Sequence, residues 1–194
     1  MPPPDLRRGN QLPTPGTASI PLTVAGSGSA SISTDDAQVA VVVPEAAFAG
    51  RADETSVQVR ITPVDPKSLS SPPPGLRFDG NGYAIVAAYA RSRELAVLRK
   101  PATIVLRYPM HATILMRNIG QEWRPLPANT VPSTLQIFAT TNAWGTFIAA
   151  APGGLNQRSS WTTYVAATGA LLGGLSIGWL LRWRASHAGP SGGR

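Results

Sequence analysis

The stretch Trp161–Leu181, "WTTYVAATGALLGGLSIGWLL", carries no charge, and its first cation follows at Arg182. This constrains the chain more than any other feature. At 1.5 Å per residue the run makes a helix about 31 Å long, close to the roughly 30 Å hydrocarbon core of a bilayer. Trp161 and Tyr164 stand at one end, Trp179 and Trp183 at the other. Aromatic rings favour the headgroup level, and Arg182 and Arg184 can snorkel into it. A buried core helix would not need that length, those aromatic ends or so uncharged an interior. The run predicts a transmembrane helix over 161–181, followed by a basic tail over 182–194.

The small residues of this helix are segregated. At 100° per residue, Ala166, Gly169, Ala170, Gly173 and Gly174 share one side, and Gly178 extends the strip. Leu171, Leu172, Leu175 and Trp179 face the other way. Gly169 with Gly173, and Gly174 with Gly178, form two GxxxG pairs. Helices associate in lipid through close backbone packing over small residues rather than through the hydrophobic effect. The strip predicts a packing face for a transmembrane helix of a partner protein or of a second copy.

Orientation follows from the flanking cations. Arg158 alone precedes the run closely, whereas Arg182, Arg184 and Arg194 follow it. The positive-inside rule puts the C-terminus in the cytoplasm and the N-terminal region outside. The opening "MPPPDLRRGNQLPTPGTASIPL" has no apolar core of the kind a signal peptide needs. A missing signal, export by another route, or a tail-anchored cytoplasmic domain would each account for this, and the charge asymmetry favours the external domain.

Residues 1–36 are rich in Pro, Gly and Ser and read as a flexible arm. Ile20, Leu22 and Val24 alternate there like a possible edge strand. From Ala37 a period of two dominates. Val39, Val41 and Val43 alternate up to Pro44, and Val57, Val59 and Ile61 up to Pro63. Tyr83 and Ile85 follow an expected turn at "DGNG". Ile104, Leu106 and Tyr108 share a face, Ile114 and Met116 follow, and Leu135 and Ile137 make a further run before "AWGTFIAA". Such segments, punctuated by Gly, Pro and Asn, predict an antiparallel β-sandwich over 37–152, with Trp123 and Phe147 buried. "RSRELAVLRK" (91–100) fits neither period and reads as a short strand or a turn. Residues 153–160 read as a linker. The fold class is therefore mainly β, with one C-terminal transmembrane α-helix.

Several segments resemble a known module. "AVVVPEAAF" (40–48), "VQVRITPVDP" (57–66), "KPATIVLRYP" (100–109), "RNIGQEWRPLP" (117–127) and "TTNAWGTFIAAAP" (140–152) follow one another as in the β-sandwich module shared by netrin receptors, ankyrins and bacterial surface proteins. The resemblance covers roughly 37–152. It implies binding or spacing and carries over no catalytic residue. A terminal anchor after such a module resembles bacterial surface proteins, although no LPxTG sorting motif precedes the run. Arginine- and alanine-rich, lysine-poor composition points to a high-GC bacterial source, and the resemblance to surface proteins implies the cell envelope.

The remaining chemistry is sparse. The chain has no cysteine, which removes disulfides, thiolate metal sites and cysteine nucleophiles. The net charge of +7 includes the tail arginines, and no basic stripe with interleaved aromatics speaks for nucleic acid. His111 and His187 have no neighbour at ligand spacing. In "DGNGY", Asp79 and Asn81 stand at calcium-loop offsets, but the terminal glutamate of such a loop is missing, and Asp-Gly and Asn-Gly are also hairpin signals. No GxSxG, HExxH or phosphate loop occurs. The sequence predicts a protein that is not an enzyme and needs no cofactor or metal. Two functions stand out. One is an accessory or structural subunit docked on a membrane protein complex through the small-residue helix face. The alternative is a membrane-anchored surface-binding or adhesion module; a tail-anchored adaptor is a third possibility.

Overall fold

The computed structural model describes residues 12–107, 112–120 and 122–153. The chain divides into two units, Met1–Gly154 and Leu155–Arg194. The predicted span, 161–181, the linker from 154 and the tail lie outside the described residues. Among the described residues no helix is long and apolar enough to cross a membrane.

The strands of the first unit are β1 (Gly16–Thr23), β2 (Gly26–Ser27), β3 (Ala30–Ser33), β4 (Val39–Val43), β5 (Ser56–Val64), β6 (Leu76–Tyr89), β7 (Ala102–Arg107), β8 (Ile114–Ile119), β9 (Glu122–Leu126), β10 (Ala128–Val131), β11 (Gln136–Thr141) and β12 (Gly145–Pro152). They form two antiparallel sheets. One has the order β2-β1-β5-β6-β12-β8-β9, the other β10-β11-β7-β4-β3. The chain passes from the first sheet to the second three times, from β2 to β3, from β6 to β7 and from β9 to β10.

The period of two does its expected work. Val39, Val41 and Val43 are buried while Val42 is exposed, and Val57, Val59 and Ile61 alternate with exposed Gln58 and Arg60. Ile20, Ile104, Leu106, Ile137, Tyr83, Ile85 and Phe147 join them in one core built from both sheets. The architecture is mainly β, antiparallel and sandwich-like.

Two regions differ from the sequence reading. The expected arm already carries β1–β3. Six residue pairs join β1 to β5, from Gly16↔Ile61 to Pro21↔Ser56. Ser and Gly give little local strand propensity, but Ile20 is fully buried and fixes the register. Val24, expected in that alternation, lies past the end of β1 and is exposed.

"DGNG" is not a turn. It lies within the 14-residue β6, where the pairing with β12 jumps from Gly82↔Ile148 to Asp79↔Ala149. Gly80 and Asn81 are the extra residues of a bulge, and Gly80 has φ 86°, which favours glycine. The hairpin signal was real as local chemistry. Pairing with β12 before and after the bulge overrode it, with β5 joining from Gly82 onward.

The outer face of the seven-stranded sheet has its own apolar cluster. Phe78, Met116, Trp123, Ile148 and Ala150 pack there with Leu69, Leu76 and Ile114. Loop 65–75 covers them. Asp65 caps a one-turn 3₁₀ helix, Pro66–Ser68, by accepting from Lys67 N at 2.9 Å. Trp123 Nε1 then donates to Ser70 Oγ at 2.8 Å. This roof explains why β8 buries Leu115 on one face and Met116 on the other.

Candidate functional site

The helix-packing residues Ala166, Gly169, Ala170, Gly173, Gly174 and Gly178 lie outside the described residues. So do the interface residues Trp161, Tyr164, Trp179, Arg182, Trp183 and Arg184, and both histidines, His111 and His187. Asp79 and Asn81 are described, and both are buried. Asn81 Nδ2 donates to Gln38 Oε1 at 3.1 Å, so it belongs to a polar tie between the sheets. Among the described residues no group of three or more His, Cys, Asp or Glu side chains could hold a metal ion.

Arg117 reaches from β8 to β11, where its Nη1 donates to Thr141 Oγ1 at 2.6 Å. Its Nε is buried without a hydrogen-bond partner. Burial, aided by the charge of Arg124, holds the guanidinium below its ordinary pKa.

The most distinctive surface feature is built by the segment after β6. Glu54 accepts hydrogen bonds from Arg91 N at 2.9 Å and Ser92 N at 2.7 Å, and so orders a turn that Arg93 leaves with φ 63°. The chain then doubles back along β6. Tyr89 N donates to Glu94 O, Ala96 N donates to Ala87 O, both at 2.9 Å, and Leu95 bridges to Ala88. The expected "strand or turn" is thus a turn followed by one bridge.

This segment is two-sided. Ala96 and Leu98 enter the core, while Leu95 and Val97 are each 73 % exposed. Trp144 stands beside them. Its Nε1 donates to Ala96 O at 3.1 Å and its ring meets Phe48 with 6.2 Å between centroids. Together with Val86 these side chains border an almost wholly apolar groove of about 290 Å³.

The ends of the segment are cationic. Arg91, Arg93, Arg99 and Lys100 are all exposed. Arg93 donates to Gln58 Oε1 at 3.2 Å and Lys100 to Glu45 O at 2.8 Å, both neutral acceptors. Arg91 lies close enough to the Glu54 carboxylate to help hold it ionised. Glu94, the acid within the segment, is paired with Arg51, which also lies 4.0 Å over the Tyr89 ring. The surface is therefore an aliphatic centre between two cationic ends.

Sequence reasoning did not single out this groove. Its signal was present: Leu95 and Val97 stand two positions apart between basic residues. Because the segment fits no regular period, no face could be assigned to it.

The chain matches no protein-family model, and no curated protein matches it.

Proposed function

We propose that this protein is a non-catalytic, single-span membrane protein that serves as an accessory or structural subunit of a larger membrane protein complex. Residues 161–181 anchor it. The strip Ala166, Gly169, Ala170, Gly173, Gly174 and Gly178 docks on a transmembrane helix of the complex, and the β domain is held at the membrane surface. In this reading the domain is of the type shared by netrin receptors, ankyrins and bacterial surface proteins, and it works by binding or spacing.

One observation carries the proposal: small and large side chains are segregated on a charge-free run of bilayer length. An anchor alone needs length and apolarity, not a notched face. The two-sheet domain is consistent with this division of labour.

The test is a pair of substitutions in the full chain. Gly173→Leu adds bulk at the centre of the strip without reducing hydrophobicity. It should leave insertion intact and weaken association, read as loss of a co-purifying partner from mild detergent. Leu172→Ala, off the strip, should change little. A Gly173→Leu chain that associates as before would leave the helix as an anchor only. That would favour a membrane-anchored surface-binding module.

A further inference from the structure

We infer that the groove beside Trp144 is a contact for an anionic lipid surface, with Leu95 and Val97 entering the acyl boundary and Arg91, Arg93, Arg99 and Lys100 meeting lipid phosphates. This rests on the proposed membrane anchor, which would keep the domain beside a bilayer.

Two observations point to lipid. The first is the order of chemistry along the segment. An interfacial element needs an apolar part that reaches below the headgroups and cations at headgroup level. Here two aliphatic side chains project to water at 73 % exposure, with cations before and after them. The internal acid is neutralised, since Glu94 is paired with Arg51. A leaflet offers an apolar layer beneath a continuous anionic one and needs no shape match. An acidic protein would have to present carboxylates on both sides of an apolar knob.

The second is tethering. The proposed anchor keeps the domain beside a bilayer and so raises the effective concentration of the surface, so a weak interfacial contact is enough.

The chain lacks cysteine, so single labels are simple to place. The full-length variants Leu95→Cys, Val97→Cys and Thr130→Cys, each carrying an environment-sensitive fluorophore, are mixed with or reconstituted into vesicles. The vesicles are phosphatidylcholine, with or without about a third phosphatidylglycerol. Thr130 is exposed on β10, in the other sheet. Labels at 95 and 97 should shift to the blue. Nitroxides on the acyl chains should quench them severalfold more than the label at 130. The effect should weaken without the anionic lipid and in high salt. Labels at 95 and 97 that stay open to aqueous iodide and untouched by lipid nitroxide would overturn the inference. So would a blue shift without lipid quenching, which would mean that a protein surface fills the groove.

Alkaline carbonate extraction, done after the quenching is read, tests the anchor separately. A chain that washes off refutes the span and leaves the quenching result standing. A chain that resists extraction while its label at 95 stays in water refutes the lipid contact alone.

Discussion

The Tyr83 hydroxyl donates to Gln38 Oε1 inside the protein, and the two residues come from opposite sheets. Tyr83 belongs to β6, and Gln38 immediately precedes β4. Asn81 Nδ2 shares the same acceptor, and Arg107 N donates to the Gln38 carbonyl at 2.8 Å. All three side chains are buried. Buried polar groups are tolerated only when bonded, so this cluster fixes how β6 faces β4.

Tyr83→Phe should cost about 1 kcal/mol, the value of one buried hydrogen bond. Gln38→Leu should cost more, about 2 kcal/mol or above, because it removes the acceptor that two buried donors share. Urea midpoints of the solubilised chain, followed by tryptophan fluorescence, check both. Equal losses for the two variants would show that Gln38 is not the hub.

Trp123 holds loop 65–75 over the outer face of the seven-stranded sheet. Its ring lies 4.8 Å from that of Phe78, and its indole N–H reaches Ser70. Trp123→Ala should cost about 3–5 kcal/mol. It should also free the loop, so that trypsin cuts faster after exposed Lys67. Trp123→Phe keeps much of the packing and loses the hydrogen bond, at about 1 kcal/mol. An unchanged cleavage rate at Lys67 in Trp123→Ala would show that the loop is held by something else.

Trp123 also marks the limit of what the sequence makes legible. Its burial follows from the alternation around it. The roof over it does not, because "SLSSPPPG" has neither period and packs only through contacts made far along the chain. The core faces of β4, β5 and β7 are written in a period of two, and they appear as expected as far as Leu106 in β7, Tyr108 lying outside the described residues. β1 is written so only in part: Ile20 and Leu22 alternate, but its polar spacers resemble a linker until β5 is beside it. The "DGNG" bulge carries the local chemistry of a hairpin, and only its pairing with β12 decides otherwise. The groove was hidden for the same reason as the roof. Leu95 and Val97 show their face only once Ala96 and Ala87 are hydrogen-bonded. The glycine strip of 161–181 is written in the helical period and rests on sequence alone.

Gly145 opens β12 where there is no space for a side chain. A Cβ there would lie 2.5 Å from the Asn118 carbonyl oxygen, which is backbone and cannot step aside. Gly145→Ala should cost about 1–3 kcal/mol, as over-packing does. Gly28→Ala is the control, because nothing lies within 4 Å of a Cβ at that position. A thermal midpoint for Gly145→Ala as high as that for Gly28→Ala would contradict the close approach of β12 to β8.

Glu54 gives the fold an acid-sensitive element. Burial would push its carboxyl up. The Arg91 amide, the Ser92 side chain and amide, and the charge of Arg91 together outweigh burial and hold its pKa below the ordinary value. A carboxyl depressed in the folded state stabilises at pH values above its unfolded pKa of about 4.3. That contribution fades as pH falls through the lower folded value. Glu54→Gln should therefore be less stable than the parent at neutral pH, and the gap should narrow in acid. Denaturation midpoints from neutral pH down to about pH 3 read this directly. A gap that stays constant with pH would mean that Glu54 contributes through shape and hydrogen bonding but not through charge.

Orientation can be decided by the same arginines that suggest it. Arg182, Arg184 and Arg194 follow the apolar run, and Arg158 alone stands close before it. Cations near a span are retained on the cytoplasmic side, so residues 1–158 should face outward. Trypsin added to intact spheroplasts should then cut the β domain, whose exposed turn at Arg91 and Arg93 offers sites. A C-terminal epitope tag should remain protected until the membrane is opened. Replacing Arg182 and Arg184 with Gln should produce a mixed orientation, since Arg158 and Arg194 would then flank the run about equally. A parent chain whose domain is protected while its tag is exposed would establish the tail-anchored arrangement. The β domain would then act on cytoplasmic partners, and the lipid surface facing Leu95 would be the cytoplasmic leaflet, which is rich in anionic lipid.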